Sequence, residues 1–125
     1  MALNTPLSNA RTVSLVTFRK DGTPVATPVT PVMIDGKLYT ITVAASWKVK
    51  RLRRDARVRV APCTLRGRVT GEYREGTAMI LGGTPAQDRV RAAMARRFGL
   101  LGKISNIFSK WVRKDADRLV LEITV

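Results

Sequence analysis

Apolar and polar positions alternate along most of the first half of the chain. In "RTVSLVTFRKDG", Val13, Leu15 and Thr17 share one side, and Asp21-Gly22 then supplies a hairpin turn. The next run, "TPVATPVTPVMI", is rich in β-formers but holds Pro24, Pro28 and Pro31. Each proline removes a ladder donor, so this run predicts an edge strand rather than a central one. Asp35-Gly36 gives a second hairpin turn into the strand "KLYTITVAA". The period then changes. Ser46 is a good helix N-cap, and Val49, Leu52 and Ala56 fall on one helical face. Asp55 is the expected stop, and "RVRVAPC" resumes the strand alternation.

The run "RGRVTGEYREGTAMILGG" reads as one long or bent strand, with Gly71 and Gly76 marking bulges or close backbone approach. After Gly83, Thr84 can cap a helix and Pro85 suits its first turn. Val90, Ala93, Met94 and Phe98 follow in helical register, and Gly99 ends it. The segment "LLGKISNIFSKWVRK" is amphipathic and reads as a loop with a short helix. "DRLVLEITV" closes the pattern as a strand with Leu119, Leu121, Ile123 and Val125 on one side. Six strands with two or three helices result, mostly antiparallel because hairpins dominate. A small barrel, closed or partly closed, is the way such a sheet hides its edges. With 125 residues and no linker, residues 1–125 are expected to form a single domain.

Composition narrows the chemistry. The chain has no histidine and a single cysteine, Cys63. A Ser-His-Asp triad, a Cys-His pair and the usual zinc sites are therefore excluded, and so is an internal disulfide. The nine carboxylates are scattered, Asp21 and Asp35 in turns and Asp115 and Asp117 near the last strand, so no pair is set for hydrolytic acid–base work. An enzyme built on this chain needs a cofactor or substrate that carries the chemistry. The net charge of +14 draws anions: nucleic acid, acidic membrane, or ligands with phosphate and carboxylate groups. No apolar run is long enough to span a membrane, and the first residues lack the pattern of a signal peptide, so a cytoplasmic protein is the expectation. Aromatics make up 6%, and Trp47 and Trp111 are the candidate stacking residues. That is too sparse for a nucleic-acid platform, and the helices are too separated for a helix-turn-helix.

Two stretches are candidates for ligand contact. Ser46, Lys48 and Lys50 combine a helix N-terminus with two cations. Lys48 and Lys50 lie about 160° apart at about 100° per residue, so they converge on one anion only through long side chains. The alternative is a solvated basic face, and Arg51, Arg53 and Arg54 are read either as such a face or as a landing zone for an anionic tail. The proline-interrupted strand is the second candidate, since unpaired backbone groups can bond the edge of a planar heterocycle.

The ordered set from "DGTPVATPVTPVMIDGKLYTIT" through "AASWKVKRLRRDARVRVAPC" to "GRVTGEYREGTAMIL" resembles the pyridoxamine 5′-phosphate oxidase-like split β-barrel superfamily. It looks closest to the actinobacterial branch of deazaflavin (coenzyme F-420)-dependent oxidoreductases, over roughly Thr12 to Leu81. The resemblance implies a mainly β, six-stranded antiparallel split barrel that forms a homodimer, with cofactor sites at the subunit interface. It implies that Thr27, Pro28, Val29 and Thr30 line the ring, and that Ile41 and Thr42 lie near the ribityl-phosphate arm. It assigns Ser46, Lys48 and Lys50 to phosphate. Enzymes of the family that use FMN carry arginines where this chain has Thr27 and Trp47, and their histidine near the C-terminus has no match. The reading is therefore an oxidoreductase that passes hydride from reduced coenzyme F-420 to a small unsaturated organic substrate. Tyr39, Tyr73, a lysine or water are the open choices for a proton donor. The alternatives are an FMN enzyme on the same fold, a non-catalytic cofactor carrier, and a basic nucleic-acid-binding protein.

Overall fold

The computed structural model describes Leu7 and residues 10–82, 84–98 and 118–125. Seven strands form one antiparallel sheet: β1 (Thr12–Phe18), β2 (Pro24–Val29), β3 (Val32–Ile34), β4 (Lys37–Val43), β5 (Arg57–Cys63), β6 (Arg74–Leu81) and β7 (Arg118–Thr124). Two helices accompany them, α1 (Trp47–Arg54) and α2 (Thr84–Phe98). The order across the sheet is β2-β1-β5-β6-β7-β4-β3. The sheet curls into a half-barrel whose edge strands, β2 and β3, are consecutive in the chain.

The proline-rich run accounts for the difference between six expected strands and seven. It breaks at Thr30-Pro31, giving one edge strand on each side of the split. Pro28 is tolerated because β2 has only β1 as a neighbour. The Thr40 hydroxyl donates to the Thr30 carbonyl at 2.9 Å and ties the junction to β4. Both hairpin turns form where Asp-Gly predicts them. Asp35 and Gly36 take positive φ, 51° and 81°, as a tight β3–β4 hairpin requires. At the β1–β2 turn Gly22 has φ 88° and its N–H donates to the Arg19 carbonyl at 2.8 Å.

The register puts alternate residues into two cores. Val13 and Leu15 of β1, Val58 and Val60 of β5, Ala78 of β6, Leu121 and Ile123 of β7 and Leu38 of β4 fill the barrel interior, with Leu52 of α1 among them. Val125 packs against this cluster, and Leu121 and Ile123 share its side as the alternation predicts. On the outer face α2 lays Val90, Ala93 and Met94 on Val32, Tyr39 and Val120. Strand β7 is therefore covered on both faces, which a single alternating pattern does not reveal.

The long strand expected before Leu81 is shorter than its sequence suggests. Residues 64–73 form a turn and loop joined to β5 by a Cys63–Val69 bridge and by Thr70 N–H donating to the Pro62 carbonyl at 2.8 Å. Gly76 fulfils the expectation of close approach, since a Cβ there would collide with the Thr124 carbonyl oxygen. Cys63 is buried, and burial pushes its thiol pKa up, as befits a small core residue. Helix α2 starts at Thr84, in agreement with its sequence signals. The expectations for Gly99, for the amphipathic segment with Trp111, and for Asp115 and Asp117 lie outside the described residues.

Candidate functional site

Strand β4 delivers the chain from the barrel to α1. The Ser46 N–H donates to the Val43 carbonyl at 3.0 Å, turning the backbone, and the Ser46 hydroxyl accepts from Val49 N–H at 3.5 Å. Ser46 is thus the N-cap its sequence position predicts. Val49 and Leu52, 0% and 4% exposed, hold the helix on the barrel. Burying a side chain such as Leu52 contributes about 1.5–3 kcal/mol, enough to seat a short helix whose other face is cationic. The helix ends at Arg54 with extended Asp55 as C-cap. Ala56 is therefore outside it and exposed, contrary to the periodic pattern, and its carbonyl instead accepts from Ala78 N–H at 2.9 Å.

The expected contact residues fall in three places. Thr27, Pro28, Val29 and Thr30 lie on the edge strand β2 and the junction after it, with Thr27 and Val29 half-buried and Pro28 and Thr30 exposed. The Thr40–Thr30 bond brings that junction beside β4. Ile41 and Thr42 lie on opposite faces of β4: Ile41 packs outward against the α2 cluster, and Thr42, 3% exposed, points to the barrel interior. Ser46 and Lys48 stand at the start of α1. Lys48 is half-buried and forms no ion pair with any described carboxylate. Burial first, then the charge of Arg51, push its pKa below the ordinary lysine value.

Lys50 lies over the ring of Trp47. Its ammonium sits 4.4 Å from the ring centre of Trp47, which is 71% exposed. Both line a cavity of about 530 Å³ together with Arg19, Lys20, Arg51 and Arg54. Of the three arginines read as a solvated face or a landing zone, Arg53 and Arg54 are exposed and Arg51 is half-buried, and two of them bond to β1. Arg51 Nε donates to the Thr17 hydroxyl at 2.6 Å, and Arg54 Nη2 to the Phe18 carbonyl at 3.4 Å. Burial lowers the Arg51 pKa, and the charges of Arg19 and Arg54 lower it further.

Sequence reasoning did not find the contribution of Arg19 and Lys20. The available signal was their place just before Asp21-Gly22, at a hairpin tip. Nothing local says that this tip faces α1. The two tyrosines considered as proton donors are both engaged. The Tyr39 hydroxyl donates to Glu122 Oε2 at 2.8 Å, and burial, then Glu122, raise its pKa. The Tyr73 hydroxyl lies 2.9 Å from the Ser14 hydroxyl. Among the described residues no group of three or more acidic or cysteine side chains could hold a metal ion, and no helix is long and apolar enough to cross a membrane.

Comparison with solved structures supports the fold. A conserved hypothetical protein of Mycobacterium tuberculosis is 26% identical, with a TM-score of 0.70 over 95% of this chain and 75% of that one. An F420 reductase is 14% identical, with a TM-score of 0.61 over 94% and 87% of the two chains. A heme storage protein of Vibrio cholerae is 14% identical, with a TM-score of 0.69 over 93% and 82%. One architecture thus carries unlike ring cofactors, so the fold alone does not choose among them. No curated protein sequence matches the chain. The family model of pyridoxamine 5′-phosphate oxidase matches residues 2–125, and on that match, with the split-barrel topology described above, the chain belongs to this family.

Proposed function

We propose that the protein is an oxidoreductase that binds reduced coenzyme F-420 and serves hydride transfer to a small unsaturated organic substrate. The observation that carries this reading is Lys48: a half-buried cation without a carboxylate partner among the described residues, beside the Ser46-capped start of α1. A phosphate there meets free N–H groups, the positive end of the helix and an ammonium whose charge burial disfavours until an anion arrives. Thr27 to Thr30 offer edge-strand backbone to a planar ring. The donor set therefore fits a flavin-like phosphate-bearing group.

When bound, the deazaflavin supplies a two-electron hydride, so the chain's own task is to position and shield. Tyr39 and Tyr73 stay in their hydrogen bonds, and a water or lysine delivers any proton the product needs. Trp47 stands where FMN oxidases of this family carry an arginine, which favours a deazaflavin over FMN. We further propose that the site is completed in a homodimer, through the outer face that carries the exposed Val69, Tyr73 and Met79.

Titration of the purified protein with coenzyme F-420 and with FMN, followed by their fluorescence, tests the reading. Saturable coenzyme F-420 binding, tighter than FMN, is expected. Lys48→Ala weakens it by about tenfold, the worth of one charge-assisted contact. Absence of saturable binding overturns the proposal, and tighter FMN binding replaces it with a flavin enzyme.

A further inference from the structure

The cavity between α1 and the β1–β2 hairpin is lined by five cations, Arg19, Lys20, Lys50, Arg51 and Arg54, and by Trp47. None of the five takes part in an ion pair with a described carboxylate. The two nearest acids in sequence have closer partners, although each also feels one of these cations: Asp21, which feels Arg19, accepts at Oδ1 from Thr23 N–H at 2.9 Å, and Asp55, which feels Arg54, pairs with Arg57 at 2.8 Å. A loose basic surface holds its charges on mobile stems. Here two of the guanidinium groups are fixed to β1, one by the hydroxyl of Thr17, which is 0% exposed, and one by the Phe18 carbonyl. Lys50 is fixed against Trp47. Arg51 feels the charges of Arg19 and Arg54, so these cations repel one another in the free protein, and the fold has already ordered the two guanidinium groups held on β1.

We propose that this cavity is a second anion site, distinct from the Ser46–Lys48 position, that takes a small ligand carrying several adjacent negative groups, in the manner of a polyphosphate or an oligocarboxylate. A single phosphate leaves most of the five charges uncompensated, whereas a chain of three spans them. Lys50 belongs to this site, because it lines the cavity together with Trp47, whose ring it contacts. The proposal stands without the deazaflavin reading.

Calorimetric titration of the whole chain with inorganic tripolyphosphate, citrate and monophosphate at matched ionic strength tests it. One tripolyphosphate or one citrate per chain is expected, at least about tenfold tighter than monophosphate, since a tenfold ratio is the worth of one further charge-assisted contact. The tighter of the two identifies the source, phosphate or carboxylate. Arg19→Gln with Lys20→Gln, at an exposed hairpin tip that the core does not need, reduces the affinity by about tenfold or more. Lys48→Ala, at a residue that does not line the cavity although its charge and that of Arg51 act on one another, lowers this affinity far less than it weakens coenzyme F-420, so the two readings fail separately. Equal affinity for tripolyphosphate, citrate and monophosphate, or an unaltered affinity in the double variant, overturns the proposal. So does a random oligonucleotide that displaces tripolyphosphate with a steep dependence on salt.

Discussion

Two charged regions of the barrel have opposite designs. At the β3–β4 end two cations have carboxylates: Lys37 lies 3.5 Å from Glu122, whose other oxygen accepts from Tyr39, and Arg89 lies 3.0 Å from Asp35. Along α1, five cations surround a cavity and none forms an ion pair with a described carboxylate. Both regions are anchored to strands, so rigidity does not separate them. What separates them is whether the charge is satisfied by the protein itself. The first region uses its charges to hold β4 to β7 and α2 to the β3–β4 turn. The second leaves them to the anion proposed above.

Removing Glu122 is the strongest way to break this contrast. Glu122→Ala strands the Tyr39 hydroxyl, 7% exposed, and is expected to cost about 1–3 kcal/mol in urea unfolding, the penalty of an unpartnered buried group. The Tyr39 pKa also falls in that variant but stays above 10.0, because burial is its larger cause. A variant of unchanged stability removes the claim that this end is held by its charges. The corresponding deletion beside the cavity behaves differently. Arg54→Gln loses one long bond to Phe18 and relieves repulsion, so stability is expected to move by about 0.5 kcal/mol or less, with any gain largest at low salt. A loss well above about 1 kcal/mol shows that Arg54 is structural after all.

The smallest effect sharpens the contrast from a third place, where Asp55 ends α1 and binds Arg57. The Arg57 side-chain and backbone hydrogen bonds hold the Asp55 carboxyl down from 3.8 to about 2. A depressed carboxylate stabilises the fold above its unfolded value and loses that contribution as pH falls through the folded one. The acid limb of the stability curve should therefore flatten between pH 3.8 and about 2 in Asp55→Asn, a window set by those two values. An unchanged limb in a pH titration of unfolding means that the pair does not persist in solution.

Much of this was legible in the sequence, and the rest was hidden for identifiable reasons. Asp-Gly pairs specify hairpins locally, so both turns and the strands beside them could be read. Ser46, Val49 and Leu52 specify a capped amphipathic helix within a single turn or two. The prolines announced an edge strand, though not that Pro31 would divide one run into the two edges of the split. Lys48 and Lys50 lie two positions apart with one charge type, and spacing alone does not show that Lys50 lies over an exposed Trp47 while Lys48 is half-buried. The partnership of Arg19 and Lys20 with α1 depends on how the β1–β2 hairpin crosses the barrel, which is a tertiary fact. Glu122 with Tyr39 is set by the β4–β7 register, across 83 residues.

The position of β7 has a consequence for how the molecule comes into being. Strands β4 and β6 do not pair with each other; both pair with β7. A ribosome that has delivered everything before residue 118 has therefore released two fragments of sheet, one of four strands and one of two, each with a bare edge. The last seven residues to join the sheet turn those two edges into the interior of a barrel. Until they arrive, the nascent protein must be kept from pairing with its neighbours, and a tag or truncation that disturbs them removes not the border of the sheet but its keystone.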